Sequence, residues 1–198
     1  RVIKKFKKKF PKVLLSVDTR KSSVIKNAIN NKVDIINDVS CFKFDKKIYK
    51  EIKDKNLWKV IHHMQGTPQT MQINPKYNHV LLDIYDFFEE EINKLKKDTY
   101  SNKIMLDPGI GFGKNLKHNL MIFNKISIFH SLGFPVLIGP SRKKFINQIS
   151  KNFDTKERLG GTLSSILFSL SQGVQIFRVH NVNEVKQGIL VFENILNK

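Results

Sequence analysis

Residues 104–114 read Ile-Met-Leu-Asp-Pro-Gly-Ile-Gly-Phe-Gly-Lys, and this stretch indicates the fold class of the chain. Its first three residues form a short apolar run, which is typical of a strand buried on both faces. Asp107 ends the run, and three alternating glycines precede a helical pattern that starts at 115. A buried strand, a polar end, a glycine-rich turn and a helix make one βα unit of an α/β fold.

The same order of apolar run, polar residue and helical pattern occurs six times. The other apolar runs are 13–17, 33–36, 57–61, 135–138 and 174–179. The helical patterns are 21–31, 44–54, 79–98, 115–132, 141–150, 156–173 and 184–197. A polar residue follows every predicted strand, whereas an open sheet concentrates its site at one switch point. We therefore predict a TIM-type (β/α)8 barrel with about six of its eight βα units present.

The predicted domain is single and partial, and it spans residues 1–198. A complete barrel needs about 250 residues, and the first dozen residues have the apolar spacing of the tail of an amphipathic helix. We expect the first two βα units to be absent from this chain. The isolated 198-residue chain is therefore expected to show little or no activity.

Composition favours a reducing compartment, and we expect a cytoplasmic protein that binds neither membrane nor nucleic acid. No apolar run approaches the roughly 18 residues that cross a bilayer. The formal charge of +18 comes from scattered lysines, which are typical of solvated surfaces. Cys41 is the only cysteine, so an intrachain disulfide is impossible, and no activating partner indicates a catalytic thiol.

The glycine loop matches neither a dinucleotide fingerprint nor a P-loop, because its glycines follow G-x-G-x-G and Pro108 and Asn115 break the P-loop pattern. Its glycines let the backbone approach a flat ligand closely. Asp107 could accept hydrogen bonds from an amino-pyrimidine, and Phe112 could stack on the ligand. The alternative is a glycine-rich turn with a capping aspartate.

Two further motifs suggest anion binding. Ser141 is a natural N-cap for a predicted helix, where a small carboxylate would fit. Lys143 would oppose the dipole of that helix, which suggests that it points at a ligand. Arg178 and His180 lie on one side of the last strand and suit a phosphate or pyrophosphate. A capped helix with surface cations and a structural salt bridge are the respective alternatives.

The remaining candidates are single polar or soft residues after strands. Asp18 and Asn37 would face the same rim as Asp107, although each alone resembles a cap. His62 and His63 point in opposite directions on a strand, so a shared metal is not expected. Met64 is predicted to line a pocket.

Together these segments resemble the pterin-binding family, and within it the dihydropteroate synthases. The matching blocks are 16–19, 36–40, 63–68, 107–114, 141–145, 158–162 and 178–180. Their order and spacing match the family across residues 12–198. Corrinoid-dependent methyltransferases share the fold and the Asp-Pro-Gly block, but the Ser-Arg-Lys and Arg-Val-His blocks favour the synthase.

The resemblance implies a transferase of folate biosynthesis, the class that sulfonamides target, which joins 6-hydroxymethyl-7,8-dihydropterin pyrophosphate to p-aminobenzoate. It implies that the pterin is held by Asp18, Asn37, Met64, Asp107, Phe112 and Lys143. It assigns Ser141 to the p-aminobenzoate carboxylate and Arg178 and His180 to the pyrophosphate, with Lys143, Arg178 and His180 as catalytic residues. It also implies Mg²⁺ and a homodimer.

The sequence departs from the family pattern at several positions. Pro140 replaces an aliphatic residue, Asn181 stands where an aspartate is usual, and Cys41 and Phe42 interrupt a turn of small residues. The family's metal-side Asn and a Thr-Arg pair have no counterpart here, so no metal ligand is expected within this chain. A pterin-binding methyltransferase with a corrinoid partner and an inactive remnant of a synthase stay open as alternatives.

Overall fold

A computed structural model describes residues 2–97, 99–151 and 154–196. Its strands are β1 (Ser16–Asp18), β2 (Ile35–Asp38), β3 (Trp58–His62), β4 (Ile104–Asp107), β5 (Leu137–Ile138) and β6 (Ile176–Phe177). Its α-helices are α1 (Val2–Lys9), α2 (Ser22–Asn30), α3 (Ile48–Ile52), α4 (Val80–Leu95), α5 (Leu116–Asn124), α6 (Lys144–Ser150), α7 (Leu159–Ser171) and α8 (Val182–Leu196). Two 3₁₀ helices cover Ile126–Leu132 and Thr155–Glu157.

All strand pairs are parallel and follow chain order. β1 to β4 form one sheet in sequence, and β5 pairs with β6. A parallel bridge between Leu106 and Val136 links β4 to the segment before β5. The predicted α/β class and the alternation of strand and helix are confirmed.

Side-chain alternation along the strands produces two apolar layers. Residues on one face, such as Ile36, Ile61 and Leu106, belong to the large core shared with the helices. Residues on the other face form a smaller cluster built on Val60, Met105 and Leu137. Successive strand residues point to opposite faces, so Asn37, His62 and Asp107 extend the face of the smaller cluster toward the carboxyl ends of the strands.

Several predicted boundaries are wrong in ways that affect the site. The last strand ends at Phe177, so Arg178 is not embedded in an apolar strand, and its side chain is 65% exposed. Ser141 is not an N-cap, because α6 begins at Lys144 and Lys143 occupies the capping position without a side-chain bond. The predicted helix 115–132 is interrupted at Lys125 and continues as a 3₁₀ helix. Residues 98 and 197, the ends of two predicted helices, lie outside the described residues.

The predicted amphipathic helix at the start of the chain is confirmed as α1. The Lys7 ammonium bonds the Asp34 carboxylate and, at 3.1 Å, the Val13 carbonyl. The same Asp34 oxygen accepts the Leu15 backbone N–H at 2.7 Å. These bonds attach α1 to the segments that lead into β1 and β2.

Within the described ranges, every helix is too short or too polar to span a bilayer.

Candidate active site

A cleft at the carboxyl ends of the strands receives one residue from, or just after, each of the six strands. The space inside the cleft, including the part that is open to solvent, is about 340 Å³. Its lining residues are Asp18, Asn37, Val39, His62, Asp107, Ile110, Phe112, Gly139, Lys143 and Arg178. Five of the predicted pterin residues are therefore brought together, along with Arg178 from the predicted pyrophosphate pair.

Two buried acceptors in this cleft are available to a ligand. Asn37 is 7% exposed, and its Oδ1 atom has no hydrogen-bond partner among the residues that the structure describes. Asp107 is 6% exposed, and its Oδ1 accepts the Gly109 N–H at 2.8 Å. Its Oδ2 lies 3.8 Å from His62 Nε2, which is too long for a hydrogen bond. A buried acceptor without a donor is costly, so Asn37 Oδ1 favours a ligand that carries N–H groups. The Asp107 carboxylate in the same cleft can accept a further N–H.

His62 forms a neutral wall beside Asp107. Its Nδ1 lies 3.2 Å from the Val39 carbonyl, which can only accept, so Nδ1 carries the proton. Burial lowers the pKa of His62, and the opposing effect of Asp107 is smaller. The imidazole edge meets the Phe112 ring at a centroid distance of 4.6 Å and an angle of 88°.

The glycine loop packs directly on the backbone that follows β3. Gly109, Gly111 and Gly113 have φ angles of +68°, +77° and +63°. A Cβ atom at Gly109 would lie 2.0 Å from the His63 carbonyl oxygen, and one at Gly113 would lie 2.5 Å from the Gln65 carbonyl oxygen. Close backbone approach and left-handed φ angles therefore both require glycine at these two positions.

Lys143 reaches across the cleft to the glycine loop. Its ammonium lies 4.0 Å from the centroid of the Phe112 ring, a cation–π contact. Burial lowers the pKa of Lys143, Asp107 opposes this effect, and Arg178 adds to it. The cleft thus contains both cations and carboxylates, with Arg178 beside Asp18 and Lys143 over the Phe112 ring.

The backbone before Lys143 is fixed by residues that had no role in the sequence prediction. Arg142 has a left-handed φ angle of 61°. Its N–H donates to Thr162 Oγ1 at 3.2 Å, and its carbonyl accepts from Arg158 Nη1 at 2.9 Å. Its guanidinium donates to Asn181 Oδ1 at 2.8 Å. The Arg-Leu-Gly-Gly-Thr block at 158–162 contains both Arg158 and Thr162, so it was the sequence feature that could have indicated these contacts.

Ser141 and His180 are bonded to each other. Ser141 is 6% exposed, and its Oγ accepts the His180 backbone N–H at 3.3 Å. The hydroxyl also lies 2.8 Å from His180 Nδ1. When Nδ1 carries no proton, the hydroxyl donates to it, and the imidazole proton then lies on Nε2.

Arg178 lies at the rim beside Asp18. Their nearest nitrogen and oxygen atoms are 3.4 Å apart, and the side chains are 65% and 44% exposed. Exposed ion pairs of this kind contribute little to stability. Both side chains can therefore turn toward a ligand at small cost.

Met64 lies in an adjoining cleft rather than in the one that holds the other candidates. The space inside that cleft, including the part that is open to solvent, is about 580 Å³, and its lining includes Arg20, Phe44 and Phe87. The two clefts share Val39 and His62 as walls. The sequence interpretation missed His62, Val39 and Ile110 as walls; strand alternation from Val60 was the signal for His62.

Neither the histidine pair nor the cysteine has a reactive arrangement. His63 points away from His62 and packs its ring on Phe87 at 4.9 Å. Across the described parts of the chain, no three His, Cys, Asp or Glu side chains are placed to hold a metal ion. Burial raises the pKa of the Cys41 thiol, so it stays protonated.

The strands are parallel and follow chain order, and a buried acceptor, an aromatic wall and cations lie at their carboxyl ends. This arrangement is typical of enzymes with an α/β barrel. The family model described as pterin binding enzyme matches residues 1–180, so the chain belongs to this family, among the dihydropteroate synthases.

Known relatives support the same fold. The chain is 37% identical over 186 residues to dihydropteroate synthase of Escherichia coli K12, covering 93% of this chain and 65% of that enzyme. It superposes on the Yersinia pestis synthase, solved as a sulfonamide drug complex, with a TM-score of 0.93, 33% identity and coverage of 99% of this chain and 71% of that one.

The Thermus thermophilus synthase in complex with 6HMPPP gives a TM-score of 0.91 at 31% identity, covering 98% of this chain and 76% of that one. The TIM-type fold is therefore confirmed, with six strands in the described residues. The chain spans about 65% of the length of the E. coli relative.

Proposed function

We propose that this chain carries the substrate-binding part of a dihydropteroate synthase. The reaction would condense 6-hydroxymethyl-7,8-dihydropterin pyrophosphate with p-aminobenzoate to give 7,8-dihydropteroate and pyrophosphate. The observation that carries the proposal is the buried Asn37 Oδ1, which has no hydrogen-bond partner among the described residues and shares the cleft with the Asp107 carboxylate and the Phe112 ring. An amino-pyrimidine edge supplies N–H donors with the complementary polarity.

The pterin ring would lie in the cleft with its N–H edge toward Asn37 and Asp107. Phe112 and Ile110 would form apolar walls, and Asp18 would contact the ring from the rim. Lys143 would donate to the ring from the opposite side, because its ammonium is already held over Phe112. Met64 would contribute through the shared wall between the two clefts.

Arg178 and His180 would receive the pyrophosphate. The exposed guanidinium offers several donors, and His180 offers Nε2–H when the Ser141 hydroxyl donates to its Nδ1. When the C–O bond breaks, its electron pair leaves with the pyrophosphate, and these donors stabilise the developing charge. The aniline nitrogen of p-aminobenzoate then forms the C–N bond and loses a proton. We propose Lys143, Arg178 and His180 as the catalytic residues.

The proposed contact of Ser141 with the p-aminobenzoate carboxylate has to coexist with its bond to His180. The Ser141 hydroxyl accepts the His180 backbone N–H, and it donates to Nδ1 when that nitrogen carries no proton. A hydroxyl retains one further lone pair but no further proton. A carboxylate could therefore take the Ser141 proton only in competition with His180.

Mg²⁺ is the cofactor that the resemblance implies. Among the described residues, no three His, Cys, Asp or Glu side chains are grouped so that they could hold a metal ion. Asp18 is the carboxylate at the rim beside Arg178. The steps above therefore rest on side chains alone.

We also propose a single barrel domain that two further βα units complete, a cytoplasmic location and a homodimer. The barrel proposal is supported by β1 and β6, each of which pairs on one side only among the described strands. The homodimer is supported by exposed apolar side chains on α8, among them Leu190, Val191 and Ile195. Sedimentation of the protein against an Ile195→Lys variant would test it: a monomeric wild type refutes the homodimer.

The proposed function is tested by measuring pyrophosphate release from the protein purified from its native source. Release that requires both substrates and falls at least about tenfold in Arg178→Gln, but not in the exposed control Lys186→Gln, is expected. A protein that binds the pterin but releases no pyrophosphate is an inactive remnant. A protein that instead transfers a methyl group to a corrinoid partner is the alternative enzyme.

A further inference from the structure

Lys114, the last residue of the glycine loop, is a buried cation outside the cleft lining. Lys114 is only 3% exposed. Its Nζ lies 2.9 Å from His63 Nδ1, 3.0 Å from the Phe112 carbonyl oxygen and 3.4 Å from the His63 carbonyl oxygen. An ammonium has three N–H donors, so its charged form matches three acceptors with three donors.

His63 can serve as an acceptor because it is neutral. Burial, reinforced by the charge of Lys114, lowers the pKa of His63 to about 2. Its ring is fixed by edge contact with Phe87 on α4 at 4.9 Å and by Tyr77 at 5.9 Å. Lys114 therefore bonds a rigid part of the fold at the end of β3.

The other end of the contact is the ring that faces the ligand. Lys114 holds the carbonyl of Phe112, and the Phe112 ring carries the Lys143 ammonium on its face. Gly109 lies against the same His63 carbonyl, so the loop and the strand end are in direct contact there. A change at Lys114 would thus move the aromatic wall and the cation of the cleft together.

We infer that Lys114 is a positioning residue: its ammonium ties the end of β3 to the glycine loop and so fixes Phe112 and Lys143 for the ligand. The inference rests on the proposed function only for the identity of that ligand.

Several titratable groups face Lys114 from the elements around it. They are His63 after β3, Asp107 on β4, Tyr77 in the loop before α4, His118 on α5 and Lys143 before α6. Burial lowers the pKa of Lys114 to about 7, with Asp107 opposing and Lys143 reinforcing the change. Above that pH the amine loses its charge and keeps two donors. Its contacts with the two carbonyl groups and with His63 are then no longer charge-assisted, so the tie weakens as pH rises through neutrality.

The test compares the variants Lys114→Met and Lys114→Arg with the control Lys117→Met. Lys117 is an exposed lysine in the first turn of α5. Amide hydrogen exchange in residues 109–114 and fluorescence titration with 6-hydroxymethylpterin are followed from pH 6 to 9. We expect Lys114→Met to exchange at least about tenfold faster at pH 6.5 and to bind the pterin several-fold more weakly. The wild type should approach this behaviour above pH 8, and Lys117→Met should match the wild type throughout.

Each outcome separates the two claims. Ionisation of the pterin affects both proteins equally, so it cancels when the affinity of the variant is divided by that of the wild type at each pH. Wild-type exchange protection and pterin affinity in folded Lys114→Met at pH 6.5 would overturn the inference. If the wild type binds no pterin, the proposed function fails, and loop exchange alone then decides the role of Lys114. Partial rescue by Lys114→Arg with loss of the pH dependence supports positioning by charge.

Discussion

Cys41 and Phe42, two consecutive bulky residues, adopt left-handed φ angles of 49° and 63°. The Asp38 carboxylate closes this turn by accepting the N–H groups of Ser40 at 2.8 Å and Phe42 at 3.1 Å. Left-handed conformations cost non-glycine residues about 1–2 kcal/mol each. The turn is retained because both side chains are nearly fully buried in the core. Cys41 and Phe42, where the family has small residues, therefore strain the backbone of this turn but add buried apolar side chains to the core.

A pair of glycine substitutions separates strain from burial. Lys32 has a φ angle of 61° just after α2, where Val33 N–H bonds the Ala28 carbonyl at 3.1 Å in the geometry of a helix end. We expect Lys32→Gly to stabilise the fold by up to about 1 kcal/mol. Phe42→Gly should destabilise it by about 2–4 kcal/mol, because loss of the buried ring outweighs the relief of strain. Urea unfolding measures both, and stabilisation by Phe42→Gly would contradict this account.

The glycine loop between β4 and α5 is the element whose backbone most directly shapes the cleft. Its carbonyl groups at Gly111 and Gly113 accept from Gln72 at 2.7 Å and Tyr77 at 2.8 Å. Its Gly111 N–H donates to Asn119, a buried residue on α5, at 2.7 Å. The loop is thus held from the preceding loop and from the following helix.

Two alanine substitutions test whether this close packing is required. Gly109→Ala places a Cβ 2.0 Å from a backbone oxygen, so we expect loss of pterin binding by at least about a hundredfold or loss of folding. Gly160→Ala, in the first turn of α7, meets no atom within 4 Å and should be neutral or stabilising by about 0.5–1 kcal/mol. Calorimetric titration and thermal unfolding are the measurements. A Gly109→Ala protein that folds and binds normally would show that the loop has another conformation.

Sequence patterns predicted the elements well where a local signal was strong. Short apolar runs located all six strands, and the polar residues after them marked the cleft. The start of α6 was misplaced because Ser141 is a good N-cap in isolation, yet its hydroxyl is bonded to His180. The burial of Lys114 was not predicted, because no local pattern indicates that a loop lysine contacts a histidine 51 residues away. Tertiary contacts decide both cases.

At the scale of the whole molecule, the excess of 18 positive charges is the dominant electrostatic feature. Charges of one sign repel over about 30 Å at 0.01 M salt but only about 8 Å at 0.15 M. The described ion pairs, such as Lys94 with Glu90 and Lys43 with Glu91, offset only part of this repulsion.

We therefore expect stability to rise with ionic strength. The urea midpoint should increase between 0.01 and 0.15 M NaCl, and KCl should have the same effect because screening depends on ionic strength alone. Pyrophosphate at equal ionic strength should stabilise the protein further through Arg178 and His180. A flat or falling midpoint with NaCl would mean that the charges are already compensated in the folded state.

We propose that the cleft at the carboxyl ends of the strands binds a pterin through Asp107. Direct titration of pterin pyrophosphate into the wild type, Asp107→Asn and Asp86→Asn tests it, the last being the same change at an exposed position on α4. The amide removes the charge and turns one acceptor into a donor that faces the N–H edge of the ligand. We predict at least about a tenfold loss of affinity for Asp107→Asn and wild-type affinity for Asp86→Asn. Equal affinity of all three proteins would show that Asp107 does not hold the pterin.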